Sequence, residues 1–544
     1  MNDFEIFTVS SLEKVFPGIR PSLYEEDNTC FQNETFSFQV AYRHEKKEVF
    51  LQYCTWEVKG DLRDFITVRP VAPALCTTPR GSKNDDYYLV RNASLVPDIL
   101  RADPFIYVRY REWGALWITV RGELPVGDHE IGIEVKNSEG KALGKTRYRL
   151  SVLKGRLPEA SLDFAHWLHY DSLAAYYGVE VFGERFDDIL SRYIENMVKH
   201  GVNTLLVPLF TPPINTAVGG ERLTVQLVDV TVNGDSYVFD FGRLERFLRK
   251  AENLGIKKFE MSHLYTQWGA EAAPRIMAIV DGKYCRIFGW EDDSLGEKYV
   301  RFVRLFLTAL TDFLDKKGYD ESRCFFHISD EPNRNHIGRY GQIRKIVKPI
   351  LGKYKIFDAL SDYEYYSQGI VDNAIVVTES AEPFLKNQVK DLWVYYCCGQ
   401  GADWLSNRFL SMPLQRTRIL GIQLYMTGCK GFLHWGYNYY NSALSERYID
   451  PYEVTDADGS FQSGDSFIVY PAKDGKPLDS VRHEALFDAF QDFRALSLLE
   501  EKIGREKTLR FLKENGVKEN FTDYPKSALW HSGLRKKINR LIVS

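Results

Sequence analysis

No apolar run in this 544-residue chain approaches the roughly 18 residues that a membrane-spanning helix needs. Basic residues do not outnumber acidic ones, and the net charge is −4. Nucleic acid and acidic membrane surfaces are therefore not expected partners. The one short basic cluster, Arg535-Lys536-Lys537, reads as a solvated helix face. The eight cysteines lie scattered without CxxC spacing, and even the vicinal Cys397-Cys398 reads as packing rather than redox chemistry. HxH and HExxH are missing, which argues against a metal site. Without GxSxG there is no serine-hydrolase elbow, and without GxGxxG or a Walker loop no nucleotide cradle; no cofactor is expected. The first residues, Met1 to Glu5, show neither the basic nor the apolar region of a secretory leader. With reduced thiols, that points to a cytoplasmic protein.

What the chain does have is aromatic side chains, 14% of it, with 32 Tyr and 10 Trp. Rings with a polar tip suit sugar stacking as well as cores. Residues 1–155 alternate in short runs: 35–42, 49–56, 87–89, 105–110, 115–120, 132–135 and 146–152. Turn signals separate them, the pattern of a β-sandwich. From about 156 the rhythm changes to alternating strands and amphipathic helices. Eight candidate strands start at Phe164, Thr204, Lys258, Cys324, Lys355, Ala374, Leu392 and Gly431. The helix between the first two carries Phe186, Ile189, Leu190, Tyr193, Ile194 and Met197 on one face, the buried stripe of an outer-ring helix. A (β/α)8 barrel over 156–500 is the expected architecture, with an open doubly wound sheet as the alternative. A long helix from about Ser480 to Glu500 and a helical tail over 501–544 complete the chain.

The fourth candidate strand ends in His327-Ile328-Ser329-Asp330-Glu331-Pro332. Two adjacent carboxylates at the carboxyl end of a barrel strand are placed for acid/base work on a ligand. The proline biases Glu331 toward extended backbone. Consecutive strand residues face opposite ways, so both acids reach one ligand only if the chain bends there. The other strand ends would bring Trp167, His169, His263, Trp268, Glu379, Tyr395, Trp435, Tyr437 and Asn438 to the same mouth. Aromatics, amides and acids at one mouth describe a carbohydrate site.

Three stretches together resemble the DUF4091 / glycoside hydrolase family 123 catalytic domain. They are His327–Pro332, the segment from Arg418 to Gly431-Phe432-Leu433-His434-Trp435, and Gly464-Asp465 to Tyr470-Pro471 followed by Asp479-Ser480-Val481-Arg482. The likeness spans about residues 160–500, and the preceding β-region resembles that family's N-terminal sandwich. It implies retaining exo-hydrolysis of β-linked N-acetylgalactosamine with help from the substrate's own acetamido group. Glu331 would be the general acid/base, with a raised pKa, Asp330 would hold the acetamide, and Arg418 would join the substrate-binding set. Two alternatives stand beside this. One is a glycosidase acting on non-acetamido sugars with Glu379 as covalent nucleophile; the other is a carbohydrate-binding protein without catalysis.

Overall fold

The computed structural model describes residues 3–24, 28–47, 50–234 and 236–544; Met1, Asn2 and Val49 lie outside them. Two five-stranded sheets form the N-terminal sandwich. One orders Phe4–Ser10, Phe36–His44, Gly114–Val120, Ile66–Cys76 and Ser94–Leu100. The other orders Asn28–Phe31, Ala142–Leu153, Gly127–Asn137, Leu51–Lys59 and Ile106–Arg109. The expected strand at 87–89 does not form. Tyr88 instead donates its hydroxyl to the Gly401 carbonyl and Tyr87 to that of Lys526, so residues 77–93 run as a strap onto the barrel.

Eight parallel strands close the barrel: Asp163–His166, Thr204–Val207, Lys258–Met261, Cys324–Phe326, Lys355–Leu360, Asn373–Val377, Trp393–Tyr395 and Gly431–His434. All eight expected strands are present, in chain order around the ring. Period-two alternation sends Phe325, Phe357, Trp393 and Tyr395 into the barrel, while Phe326, Val394 and Phe432 face the helices. Gly431 makes room for this filling: a Cβ there would sit 2.2 Å from the Trp393 ring. The Glu184–Lys199 helix buries the face that its spacing implied. A four-stranded sheet that periodicity did not reveal (Asp229–Asn233, Ser236–Asp240, Ile276–Val280, Lys283–Phe288) grows from the connections after the second and third strands.

The Val481–Ile503 helix is buried on nearly every side, between sandwich and barrel. Its cationic partners come from both. Arg69 reaches Glu484 from the sandwich and Arg418 reaches Asp492 from the barrel helix Leu414–Thr427. The solvated basic face expected at 535–537 is corrected at its first residue. Arg535 is buried, with its guanidinium between Glu34 and Asp492. Among the described residues, no helix is long and apolar enough to cross a membrane.

Candidate active site

The fourth strand ends at Phe326, three residues earlier than its apolar run suggests. Beyond it the chain is held by its neighbours rather than by strand pairing. Leu264 and Tyr265 donate backbone N–H groups to the carbonyls of His327 and Ile328, and Trp268 donates to that of Asp330. On the other side the Asp358 carboxyl accepts the amides of Ile328 (3.0 Å) and Ser329 (3.3 Å). Glu331 is not extended as the proline suggested but has φ +47°, with its N–H donated to the Ala359 carbonyl at 3.0 Å. A left-handed turn at a non-glycine residue costs about 1–2 kcal/mol. Here it supplies the bend that places both carboxyl groups in one pocket.

That pocket, a cavity of about 270 Å³, lies at the carboxyl end of the barrel. Trp167 forms part of its lining and donates its indole N–H to Glu260 at 2.6 Å. Tyr395 donates its hydroxyl to Glu331 Oε1 at 2.7 Å, whereas Tyr396 faces outward against Phe432. Trp435 is anchored by its indole N–H to Asp465 at 3.1 Å and edged by Phe461. Trp268, 41% exposed and at φ +59°, closes another side. Burial first, and the neighbouring Glu331 charge second, push Asp330 well above the usual carboxylate range.

Six of the expected site residues therefore line the pocket: Trp167, Trp268, Asp330, Glu331, Tyr395 and Trp435. The other six do not. Arg418 sits on the Leu414–Thr427 helix, committed to Asp492 at 2.7 Å and Asp488 at 3.4 Å. Tyr437 points out of the barrel to Asn196. Asn438 braces the backbone of His169, accepting its N–H at 2.8 Å. His169 is buried behind Trp435, bonded to that residue's carbonyl and to Arg222; burial lowers it to about 3. His263 is stacked beneath the floor on His327. Glu379 does not line the pocket, and its carboxylate accepts from Lys83 of the strap at 2.7 Å and from Gln400.

Residues that sequence reading passed over complete the wall. Asn215 (φ +44°) and Leu444 (φ +58°) belong to the loops after the second and eighth strands. The Leu444 amide donates to Asn215 Oδ1 at 3.0 Å, and Ser445 Oγ donates to the Asn215 carbonyl. Gln267, Phe461 and the vicinal Cys397-Cys398 also face the cavity. The one available signal was the cysteine pair, set just past a strand end. Two buried clusters, His200–Asp479–His483 and His263–His327–Asp358, have donor atoms within 4.8 Å of one another. In the second, the rings of His263 and His327 stack at 4.6 Å and 23°.

A closed parallel barrel with an acid pair and aromatic walls at its carboxyl end defines a glycosidase-type site. The sequence profile "Glycoside hydrolase 123, catalytic domain" matches residues 167–499. The chain belongs to glycoside hydrolase family 123. Among curated protein sequences, none matches it. Among solved structures it is similar to a family 123 glycoside hydrolase from Clostridium perfringens, described for glycolipid glycan hydrolysis. The TM-score is 0.73 at 15% identity, over 99% of this chain and 97% of that one. Weaker likenesses are to a β-D-glucuronidase of Dictyoglomus thermophilum (TM-score 0.33, 10% identity, 90% and 68% covered) and a Bacteroides ovatus GH5 xyloglucanase (0.30, 9%, 86% and 98%).

Proposed function

We propose that the chain removes β-linked N-acetylhexosamine, with N-acetylgalactosamine as the first choice, by retaining, substrate-assisted hydrolysis. The observation that carries this reading is that Asp330 and Glu331, consecutive in the chain, both line one pocket through the left-handed turn at Glu331. The acetamide oxygen attacks C1 as the glycosidic oxygen leaves with a proton from Glu331, giving an oxazolinium. Water then adds at C1, returns its proton to Glu331 and reopens the ring. Asp330 accepts the acetamide N–H and balances the positive charge. That hydrogen bond favours its anion and opposes the burial that raises Asp330. Trp435, Trp268 and Trp167 supply ring faces around the sugar.

The test is a panel of aryl β-glycosides with and without a 2-acetamido group, joined by a glycolipid glycan carrying terminal β-N-acetylgalactosamine. Asp330→Asn should lose about 10²–10³-fold in kcat even on activated leaving groups, the scale of deleting one electrostatic stabiliser. Glu331→Gln should retain part of its activity on those same substrates, where acid help matters little. A thiazoline analogue of the oxazoline should inhibit the wild type and bind Asp330→Asn poorly. Brisk turnover of a plain galactoside, or a covalent sugar trapped on Glu379, would overturn this reading.

A further inference from the structure

Directly beneath the acid pair lies a buried chain of polar groups that the reaction scheme above does not use. At the pocket lining, the Trp167 indole N–H donates to Glu260 Oε2 at 2.6 Å. The same oxygen lies 3.3 Å from His327 Nε2, and His327 Nδ1 lies 3.2 Å from Asp358 Oδ1. Asp358 in turn accepts the amides of Ile328 and Ser329, the two residues before Asp330, and the Tyr340 hydroxyl. The side chains of Glu260, His327 and Asp358 have no solvent exposure. The path joins the first, third, fourth and fifth strand ends and finishes one residue short of the acid pair.

An imidazole facing two ionised carboxylates, one from each ring nitrogen, is satisfied at both ends only when it carries both protons, because a neutral ring has one donor and a carboxylate none. A charge that deep persists only when paired on the spot. Burial alone would depress His327, but hydrogen bonds to Asp358 and Glu260 outweigh it and raise it to about 9. Its positive charge reaches Asp330, where it acts against the burial and the Glu331 charge that favour the proton. Of the other titratable groups facing this spot, Asp358 itself favours the proton on Asp330 and so opposes His327. The Tyr395 hydroxyl is committed to Glu331, and that of Tyr340 to Asp358. His263, stacked on His327, is held well below the usual imidazole range by burial and by His327 itself.

We propose that His327, clamped between Glu260 and Asp358, is a positioning residue that sets a fixed positive charge under Asp330 and ties its loop to the Trp167 floor. That charge favours the Asp330 anion, against burial and the Glu331 charge, when the acetamide arrives; the tie keeps its carboxyl in place beside the Glu331 turn. The inference rests on the acetamido reading above and specifies what makes Asp330 competent for it.

The decisive measurement is the pH profile of kcat/KM on a 2-acetamido aryl glycoside for wild type, His327→Gln, Asp330→Asn and the double variant, all as the full chain. His327→Gln should lower kcat/KM by about 10- to 100-fold, the usual cost of removing a group that orients a reacting one. It should also move the acid limb up by about one pH unit, since Asp330 then ionises less readily. In the Asp330→Asn background the same substitution should add almost nothing, because its target is gone. Should His327→Gln not fold, Glu260→Gln keeps the histidine while weakening its clamp, and the same limb should move the same way by less. An unmoved acid limb in a folded variant, or full additivity with Asp330→Asn, overturns the proposal. So does stoichiometric zinc in the purified wild type that His327→Gln lacks, which would make the cluster a cation site. An enzyme indifferent to the acetamido group would show itself with the wild type alone and would overturn the functional reading together with this inference, whereas an unmoved limb in an acetamido-dependent enzyme overturns this inference alone.

Discussion

The Tyr395 hydroxyl donates to Glu331 Oε1 at 2.7 Å, across the pocket from the seventh strand to the loop after the fourth. A hydrogen bond to an ionisable group in a site of this kind contributes about 1.5–3 kcal/mol. Tyr395→Phe should therefore lower kcat/KM by about 10- to 100-fold, with a loss of stability no larger than that figure. A steady-state comparison on the best aryl substrate checks this, and an unchanged kcat/KM would reduce Tyr395 to a filler of the barrel.

Glu331 occupies left-handed backbone at φ +47°. Glycine adopts that conformation freely. Glu331→Gly should abolish hydrolysis yet raise unfolding stability by about 1 kcal/mol relative to Glu331→Ala, which keeps the steric cost. Denaturant melts of the two variants give the answer directly.

Trp435 is held by Asp465 and Phe461 at the edge of the cavity. Trp435→Ala should raise KM, with stacking worth about 1 kcal/mol beyond the area covered. Trp435→Phe keeps a ring but leaves Asp465 without its indole donor. Burial pushes Asp465 up to about 7, so the acid tolerates the loss by remaining protonated below that pH. Because the indole bond had been lowering Asp465, the phenylalanine variant should be closest to wild type in acid and neutral solution and fall away only at a pH above 7.

Arg418 separates structure from function. Its pairing with Asp488 and Asp492 is buried, and breaking one side of such a pair costs about 3–5 kcal/mol. Arg418→Met should lower the melting temperature markedly while the folded fraction keeps its KM. A raised KM at unchanged stability would return Arg418 to the substrate-binding set.

His327 predicts the sign of one pH effect on stability. Its folded value of about 9 lies above the unfolded one, so its stabilising contribution is complete below about pH 6.5 and is lost as pH rises through 9. The stability gap between wild type and His327→Gln should be widest near pH 6 and shrink by pH 9.5. His169 and His531, both lowered to about 3 by burial, act in the opposite sense. Their contribution is present above about pH 6.5 and disappears as pH falls toward 3.

The barrel was legible because parallel strands buried on both faces read as short continuous apolar runs, such as Thr204–Val207 and Asn373–Val377. The sandwich was less so. Ile66–Cys76 contains Pro70 and Pro73, and Ser94–Leu100 contains Pro97; Pro73 and Pro97 face each other at a register shift that accommodates them. Prolines in a run argue against a strand until an irregular pair is seen. At the site, residues inside or directly at a strand end were placed correctly, as Tyr395 was. Past the last ladder bond the alternation no longer applies: His169 and Asn438 turn to brace the backbone, and Tyr437 turns outward to the Asn196 side chain. No periodicity could give Asn215 and Leu444, whose position depends on two loops bonding each other.

The strap over residues 77–93 changes what can be cut from this molecule. Lys83 fixes Glu379 beside the catalytic mouth, and Asp85 holds Arg416 through both guanidinium nitrogens at 2.9 Å. Asp98, on the Ser94–Leu100 strand, grips Arg482 of the long helix. A barrel expressed from residue 156 onward would leave Arg416 and Arg482 as uncompensated charges in its interior. The sandwich is thus no interchangeable accessory: grafting the hydrolytic half onto another carrier, or shortening the gene to it, would remove the counter-ions on which that half is built.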